Sequence, residues 1–180
     1  MGSVRELIDA LKASLATFGY AECARNTAGD VNLAAVLATP KRGRKFLCAV
    51  ADLPRGAADT HGAAMFVDSI RRGLAKEFAG FPWPRRLGTY MVLLADHATC
   101  ESLLGQRGIR VSRGGLHVNV LLGLILVDVD ALRSHSDVTR ELMDTGDQFR
   151  RIQAAVEQWC RQCRQPDQPR RPSRFDISLS

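Results

Sequence analysis

The chain has 180 residues, of which 46% are hydrophobic and 24% are charged, and its formal net charge is +6. This balance is ordinary for a folded globular protein. The longest apolar run, Leu116–Val129, contains His117 and Asn119 and is shorter than the roughly 18 residues that a membrane span requires. The first residues lack the basic and then apolar layout of a secretory signal. We therefore expect a cytoplasmic protein with no membrane partner.

An amphipathic helix is predicted at the start of the chain. Ser3 is placed to cap it, and Glu6, three residues later, completes a capping box. Gly19 is placed to end the helical segment, because glycine accepts the left-handed backbone that follows many helices. The apolar stripe at helical spacing consists of Val4, Leu7, Ile8, Leu11, Leu15 and Phe18.

Two apolar runs after this helix predict a β-hairpin. The runs are Val31–Ala38 and Phe46–Leu53, and a proline and a glycine between them mark a turn. The turn sequence, Thr-Pro-Lys-Arg-Gly-Arg-Lys, carries four cations. The predicted hairpin therefore has a strongly basic tip.

A helix and a strand after the hairpin indicate a parallel crossover. Asp59 or Thr60 opens the helix, and Thr89–Ala95 is an uninterrupted apolar strand. Two strands joined through a helix are predicted to lie parallel with a right-handed connection. The buried stripe of the helix is predicted to be Ala63, Phe66, Val67, Ile70, Leu74 and Phe78.

The next segment predicts a short helix and a second hairpin. The helix begins at Asp96 or Thr99 and ends near Gly105. Glycines then separate a short strand, Ile109–Ser112, from the long apolar strand 116–129. Because the long strand has almost no charge before its end, we expect it to be buried on both faces.

The last third of the chain predicts a bulged strand, an irregular segment and a helix. Gly123 interrupts the long strand and indicates a bulge or a bend. The segment 130–144 is polar and is predicted to be irregular, and a final helix is predicted over Asp147–Cys163. The buried side of that helix is predicted to be Phe149, Ile152, Val156, Trp159 and Cys163.

These elements predict an α/β (α+β) fold in a single domain. We expect a mixed sheet of about five strands, including the basic-tipped hairpin, with three or four flanking helices. The domain is predicted to span residues 1–164. Residues 165–180 are predicted to form a flexible, basic, proline-rich tail. Within this tail Phe175, Ile177 and Leu179 alternate with polar residues, which is the pattern of one short strand that binds a partner.

Basic residues suggest contact with nucleic acid. Arginine supplies most of the cations, and its planar group suits phosphate. A cationic hairpin can follow a phosphate backbone through charge alone, whereas a solvated turn that protects a sheet edge is the alternative. The predicted contact residues are Lys41, Arg42, Arg44, Lys45, Arg85 and Arg86.

Metal binding is a second, weaker hypothesis. His97 and Cys100, and likewise Cys160 and Cys163, stand three residues apart on predicted helices, and together they would supply a zinc ligand set. Five cysteines at irregular spacing do not resemble a disulfide framework. We interpret the thiols as reduced packing residues and expect no cofactor. A Cys100 nucleophile with His97 or His117 is a further alternative.

The order helix, hairpin, helix and strand in the first half of the chain is similar to part of the restriction-endonuclease-like fold. That resemblance implies a metal-dependent nuclease with one acid near a hairpin strand and an acid-x-Lys on the next. Asp30 matches the first acid and Asp52 the second. The chain departs from the pattern because no lysine stands two residues after Asp52, and that lysine would orient or activate the attacking water.

The function favoured by the sequence is that of a non-catalytic accessory subunit. We expect it to dock on a protein partner in a larger, bacterial-type cytoplasmic assembly and to contact nucleic acid through its basic loops. Trp83, in a rigid Phe-Pro-Trp-Pro connector, is the predicted partner-binding residue of the domain, since tryptophan is enriched at interfaces. The metal-dependent nuclease is the alternative, so whether the protein is an enzyme stays open at this point.

Overall fold

Three parallel strands form the centre of the computed structural model, which describes residues 3–39, 45–79, 87–106, 119–138 and 146–165. Within those ranges the helices are α1 (Val4–Leu15), α2 (Thr60–Phe78), α3 (His97–Gly105) and α4 (Gly146–Arg164). The strands are β1 (Ala21–Glu22), β2 (Thr27–Ala28), β3 (Val31–Asn32), β4 (Ala35–Ala38), β5 (Lys45–Asp52), β6 (Leu87–Ala95), β7 (Asn119–Asp128) and β8 (Arg133–Val138).

The main sheet is mixed and has six strands in the order β1-β4-β5-β6-β7-β8. Strands β5, β6 and β7 are parallel, and the strands outside them pair antiparallel. A separate two-stranded sheet joins β2 to β3. The predicted mixed α+β fold is confirmed, as are the β4–β5 hairpin and the parallel crossover through α2.

Helices cover both faces of the main sheet. One core contains side chains of α2 and α3, and the other contains side chains of α1 and α4. All nine residues of β6 are buried, and β7 is buried along almost its whole length. The long apolar run is therefore the doubly covered strand that its composition predicts. Among the described residues, no helix combines the length and the apolar character that crossing a membrane requires.

The predicted helix starts are confirmed by their caps. Ser3 and Glu6 form the reciprocal capping box at α1, Asp59 caps α2 and Asp96 caps α3. Gly19 has the positive φ of 76° that ends the helical segment after α1. In each case a local side-chain hydrogen bond or a local backbone conformation determines where the helix begins or ends. A few neighbouring residues of the sequence are therefore enough to predict that position.

Of the bulge or bend predicted at Gly123, the structure shows a shift of register. The register between β6 and β7 shifts by one residue between Thr89 and Tyr90, so that Leu121 and Gly123 face consecutive residues of β6. The ring of Phe149 from α4 occupies the space where a Cβ of Gly123 would stand. The glycine therefore permits α4 to approach the sheet closely.

The prediction of one strand over Val31–Ala38 is wrong. The run is divided into β3 and β4, because its first part pairs with β2 and its second part with β5. The amide of Leu33 donates to Asn26, whereas the amide of Ala34 donates to Val50. The short strands β1 and β2 were not predicted either, since two-residue strands carry no hydrophobic periodicity.

The prediction of an irregular segment over 130–144 is wrong where the structure describes it. Residues 133–138 form β8, which pairs antiparallel with β7. The strand forms because β7 offers an unpaired backbone edge, so its polar sequence gives no sign of it. The predicted strand Ile109–Ser112 lies outside the described residues.

The predicted buried stripe of α4 needs one correction. Cys160 is buried at 2% exposure, whereas Cys163 is only partly buried. The helix presents Phe149, Ile152, Ala155, Val156, Trp159 and Cys160 to the core. The buried face is therefore rotated slightly relative to the stripe that the spacing indicates.

Replacing Gly73 should destabilise the fold. A Cβ at this position would collide with the backbone of Ala28, where α2 touches the β2–β3 sheet. We expect Gly73→Ala to lower the free energy of unfolding by about 1–3 kcal/mol through overpacking, measured by urea denaturation. Gly105→Ala is the matched control, because nothing lies within 4 Å of a Cβ there. Equal stability of the two variants would contradict the close approach.

Candidate functional site

The parallel strands give the sheet two chemically different ends. The amino end is defined by Lys45, Leu87 and Asn119, which begin β5, β6 and β7 and lie side by side in register. The carboxyl end is defined by the last residues of the same strands, Asp52, Ala95 and Asp128. Polar side chains concentrate at both ends because the strand interiors are covered by helices on both faces.

At the amino end, Lys45 is the one predicted nucleic-acid contact within the described residues. Its ammonium lies 4.7 Å from the ring centroid of Phe78, in the last turn of α2. This cation–π contact holds the start of β5 beside the end of α2 while leaving the lysine partly exposed.

A buried polar cluster fixes the start of β7 at the same end. The hydroxyl of Thr89 donates to the side-chain oxygen of Asn119 at 2.6 Å, and the side-chain amide of Asn119 donates to the carbonyl of Arg71 at 2.9 Å. Arg71 in turn donates to the carbonyl of Asn119 at 2.6 Å and pairs with Asp68 at 2.8 Å. The two buried side chains, Thr89 and Asn119, are thus satisfied by each other and by α2.

The register between β5 and β6 makes neighbours of two residues that each follow an arginine-rich stretch of the sequence. Lys45 is the partner of Leu87, so these residues stand on neighbouring strands about 4.8 Å apart. Arg44 directly precedes Lys45 and Arg86 directly precedes Leu87 in the sequence. The two arginine-rich connections therefore attach to the sheet at adjacent positions, although the sequence separates them by about forty residues.

At the carboxyl end, His97 and Asp128 form a hydrogen-bonded pair. The Nδ1 atom of His97 lies 2.7 Å from Oδ2 of Asp128, and the side chains are 57% and 5% exposed. The other oxygen of Asp128 accepts from the amides of Asp130 and Ala131 at 3.0 Å and 2.8 Å. Because Nδ1 is bonded to Asp128, the other ring nitrogen of His97, Nε2, faces solvent.

The pKa values of this pair shift in opposite directions. The hydrogen bond and charge of Asp128 raise the pKa of His97 above its ordinary value. Burial raises the pKa of Asp128, but the bonds from Ala131, His97 and Asp130 outweigh it and hold that pKa below its ordinary value. The hydrogen bond to Asp128 orients the imidazole of His97. Within the described residues, the contacts of His97 connect α3 to the end of β7.

An ion pair at the carboxyl end connects the segments that follow β5 and β6. Arg55, which follows β5, pairs with Asp96 at 3.1 Å, and the other oxygen of Asp96 caps α3 at the amide of Thr99. The amide of His97 donates to Asp130 at 3.0 Å. These contacts connect the loops that follow all three parallel strands.

The four candidate metal ligands do not form one site. Cys100 belongs to the core between the sheet and the α2–α3 layer, whereas Cys160 belongs to the core on the opposite face. Burial raises the pKa of the Cys100 thiol to about 12, which disfavours the thiolate that a metal or a nucleophilic reaction needs. Across the part of the chain that the structure describes, no three His, Cys, Asp or Glu side chains could hold a metal ion together.

The two acids of the nuclease hypothesis lie far apart. Asp52 ends β5 at the carboxyl end. Asp30 lies in the turn between β2 and β3, next to Gly29, which faces Gly73 in the second half of α2. Because α2 ends beside Lys45, this turn is nearer the amino end, and β5 alone is about 23 Å long. The structure does not bring the two carboxylates together.

The other candidate residues lie outside the described residues. They are Lys41, Arg42, Arg44, Trp83, Arg85, Arg86, Phe175, Ile177 and Leu179, together with His117. Their predicted roles remain predictions.

Sequence reasoning missed the pairing of His97 with Asp128 and the cluster around Asn119. A signal existed in both cases, since Asp128 and Asn119 are polar residues at the two ends of an apolar strand. What the sequence lacked was the identity of the neighbouring strand and helix that satisfy them.

Comparison with known proteins finds no likeness: no protein-family model, no curated protein and no solved structure matches the chain.

The stability supplied by His97 should fall as the pH rises. Because its folded-state pKa is raised, the contribution is fully present below its unfolded value of about 6.5 and is lost as the pH rises through the folded pKa. We expect the difference in unfolding free energy between wild type and His97→Gln to shrink over that interval, as measured by urea denaturation at several pH values.

The exposed His61 gives the matched control. Asp128→Asn should move the NMR-titrated pKa of His97 down towards its ordinary value, whereas His61→Gln, which leaves the contact of His97 with Asp128 intact, should keep the pKa of His97 as in wild type. A pKa of His97 that is the same in wild type and in Asp128→Asn would contradict the assigned contact.

Proposed function

We propose that the protein is a non-catalytic accessory subunit of a larger, bacterial-type cytoplasmic assembly and that it contacts nucleic acid through the amino end of its sheet. The observation that supports this proposal best is the register of Lys45 with Leu87. The residues that follow the two arginine-rich stretches are neighbours on adjacent strands, which supports a role for both stretches in contacting one phosphate backbone.

The distribution of charge also supports nucleic-acid contact at the amino end of the sheet. The carboxyl end carries Asp52, Asp96 and Asp128, of which Asp96 pairs with Arg55 and Asp128 with His97, whereas Lys45 begins β5 at the amino end. The cation at the amino end supports contact with a polyanion there. Contacts of this kind position a protein on phosphates and do not read base sequence.

A partner protein is the second part of the proposal. Trp83 belongs to the connection that attaches at Leu87, and Phe175, Ile177 and Leu179 belong to the tail that follows α4. An alternating apolar segment can add a strand to the sheet of a partner. Purification from the native host should therefore yield the protein in a complex, and a strictly solitary chain would contradict this part.

Neutralising the hairpin should weaken binding and reduce its salt dependence. For duplex DNA the logarithm of the association constant falls with the logarithm of salt concentration by about 0.9 for each phosphate contact. The triple variant Lys41→Gln, Arg42→Gln and Arg44→Gln should reduce that slope by about 0.9 for each phosphate that the protein no longer neutralises. The measurement is fluorescence anisotropy of a labelled duplex over a series of salt concentrations.

The control replaces an equal number of cations on α4, which covers one face of the sheet. Arg151, Arg161 and Arg164 are exposed on α4, and their replacement by Gln produces the same change in net charge. This control should keep the wild-type slope. Equal slopes for both triple variants would show that net charge, not the amino end, governs binding.

Removing the tail should leave the domain folded. Both described cores are built from residues no later than Cys163. We expect a chain truncated after Gln165 to keep the wild-type unfolding temperature in calorimetry while its association with the native partner disappears. A large fall in unfolding temperature would instead show that the tail completes the domain.

A further inference from the structure

Strand β8 ends the main sheet with a backbone edge that no other described strand covers. The strand order places β8 at the outside of the sheet, next to β7, and the two strands pair through six consecutive residues without a shift of register. The strand at the other end of the sheet, β1, has only two residues. Because an outer edge carries backbone N–H and C=O groups that point away from the sheet, it can pair with a further strand. Among the described strands, β8 therefore offers the longer edge to a partner.

The sequence of β8 lacks the usual features that prevent two sheet edges from pairing. Proteins protect such edges with proline, with a bulge, or with lysines that repel a second copy. Strand β8 reads Arg-Ser-His-Ser-Asp-Val, without proline or lysine, and its ladder with β7 has no bulge. Its two residues that are ionised at neutral pH, Arg133 and Asp137, have opposite charges. These charges attract a second copy if the register of the two strands places them opposite each other.

The alternation of the backbone limits how two copies of β8 can pair. Residues directly opposite each other in an antiparallel pair either both exchange backbone hydrogen bonds or both point away, and this alternates along the strand. A two-fold axis between identical strands therefore passes through a residue position and not between two positions. An axis at His135 or at Ser136 pairs five positions, more than any other centre. The axis at His135 places Arg133 opposite Asp137 of the second copy, whereas the axis at Ser136 leaves Arg133 unpaired.

We propose that the outer edge of β8 binds β8 of a second copy of this chain, in antiparallel register centred on His135. The two six-stranded sheets then form one continuous sheet about a two-fold axis. Opposite charges directly across an antiparallel pair stabilise it, and the symmetry supplies the contact of position 133 with position 137 twice. Ser134 of each copy stands opposite Ser136 of the other, where small hydroxyl side chains allow the strands to approach.

A different interpretation is that the polar residues of β8 only keep this edge in solvent and prevent aggregation. The two interpretations differ in how the two charges depend on each other. Within one copy, positions 133 and 137 are about 13 Å apart along the strand, beyond the roughly 5.5 Å of a cross-strand pair. A dependence of one charge on the sign of the other therefore requires a second copy.

The experiment uses two charge reversals in the full chain, Asp137→Arg and Arg133→Asp, and sedimentation equilibrium over a series of protein concentrations. Each variant alone places like charges across the proposed axis, so we expect its dimer dissociation constant to rise by about tenfold or more over wild type. An equimolar mixture of the two variants restores opposite charges at both contacts. We expect this mixture to dimerise as wild type does.

Two exposed residues in the segments that follow β1 and β2 give the matched controls. Arg25→Asp and Asp30→Arg change the net charge by the same amounts as the two reversals, and they should dimerise as wild type does. Because Arg133 stands opposite Asp128 of β7, the unfolding temperature of every variant is measured as well. A variant that merely unfolds gains no dimerisation from mixing.

Three outcomes would overturn the inference. A wild-type chain that stays monomeric at every concentration would show that no second copy binds, and dimerisation only after truncation at Gln165 would then assign the edge to the tail. Wild-type dissociation constants for both reversal variants would place the dimer contact elsewhere. A mixture of folded variants that stays monomeric would show that positions 133 and 137 do not face each other across a two-fold axis.

Discussion

The fold depends on burying β6 completely. All nine of its residues are buried, so its backbone amides and carbonyls must be paired by neighbouring strands. Strand β5 on one side and β7 on the other supply these partners in parallel register. Parallel pairing requires crossover connections, which place α2 and α3 on one face, and the opposite face must then be covered by α1 and α4.

This arrangement leaves polar chemistry to the two ends of the sheet. Asn119 and Asp128 are buried polar residues at opposite ends of β7, and each is satisfied by an element that the crossovers bring alongside. Asn119 exchanges hydrogen bonds with Arg71 of α2, and Asp128 binds His97 of α3. The polar contacts therefore fasten the crossover helices to the sheet, since an unpaired buried group would cost more than the bond contributes.

The two ends also differ in charge, and this difference has its origin in chain connectivity. The carboxyl ends of β5, β6 and β7 are followed or ended by aspartates, of which Asp96 caps a helix and Asp128 a turn. Lysines and arginines precede the amino ends of β5 and β6. Because parallel strands align their starts at one end, Lys45 and Leu87, which follow separate basic stretches, become neighbours.

Periodicity, caps and apolar runs of the sequence were sufficient to determine the four helices, the strands β5, β6 and β7, the crossover and the shift of register at Gly123. These features depend on local bonds or on long apolar stretches. Both can be recognised in the sequence without knowing which elements are neighbours in the fold. Only the tertiary structure decided the division of Val31–Ala38, the existence of β8, the burial of Cys160 and the pairing of His97 with Asp128. The physical reason is that each of these depends on which partner is adjacent. An edge strand forms wherever a neighbour offers free backbone groups, and a polar side chain at a strand end becomes an ion-pair partner or a cap only when another element is packed against it.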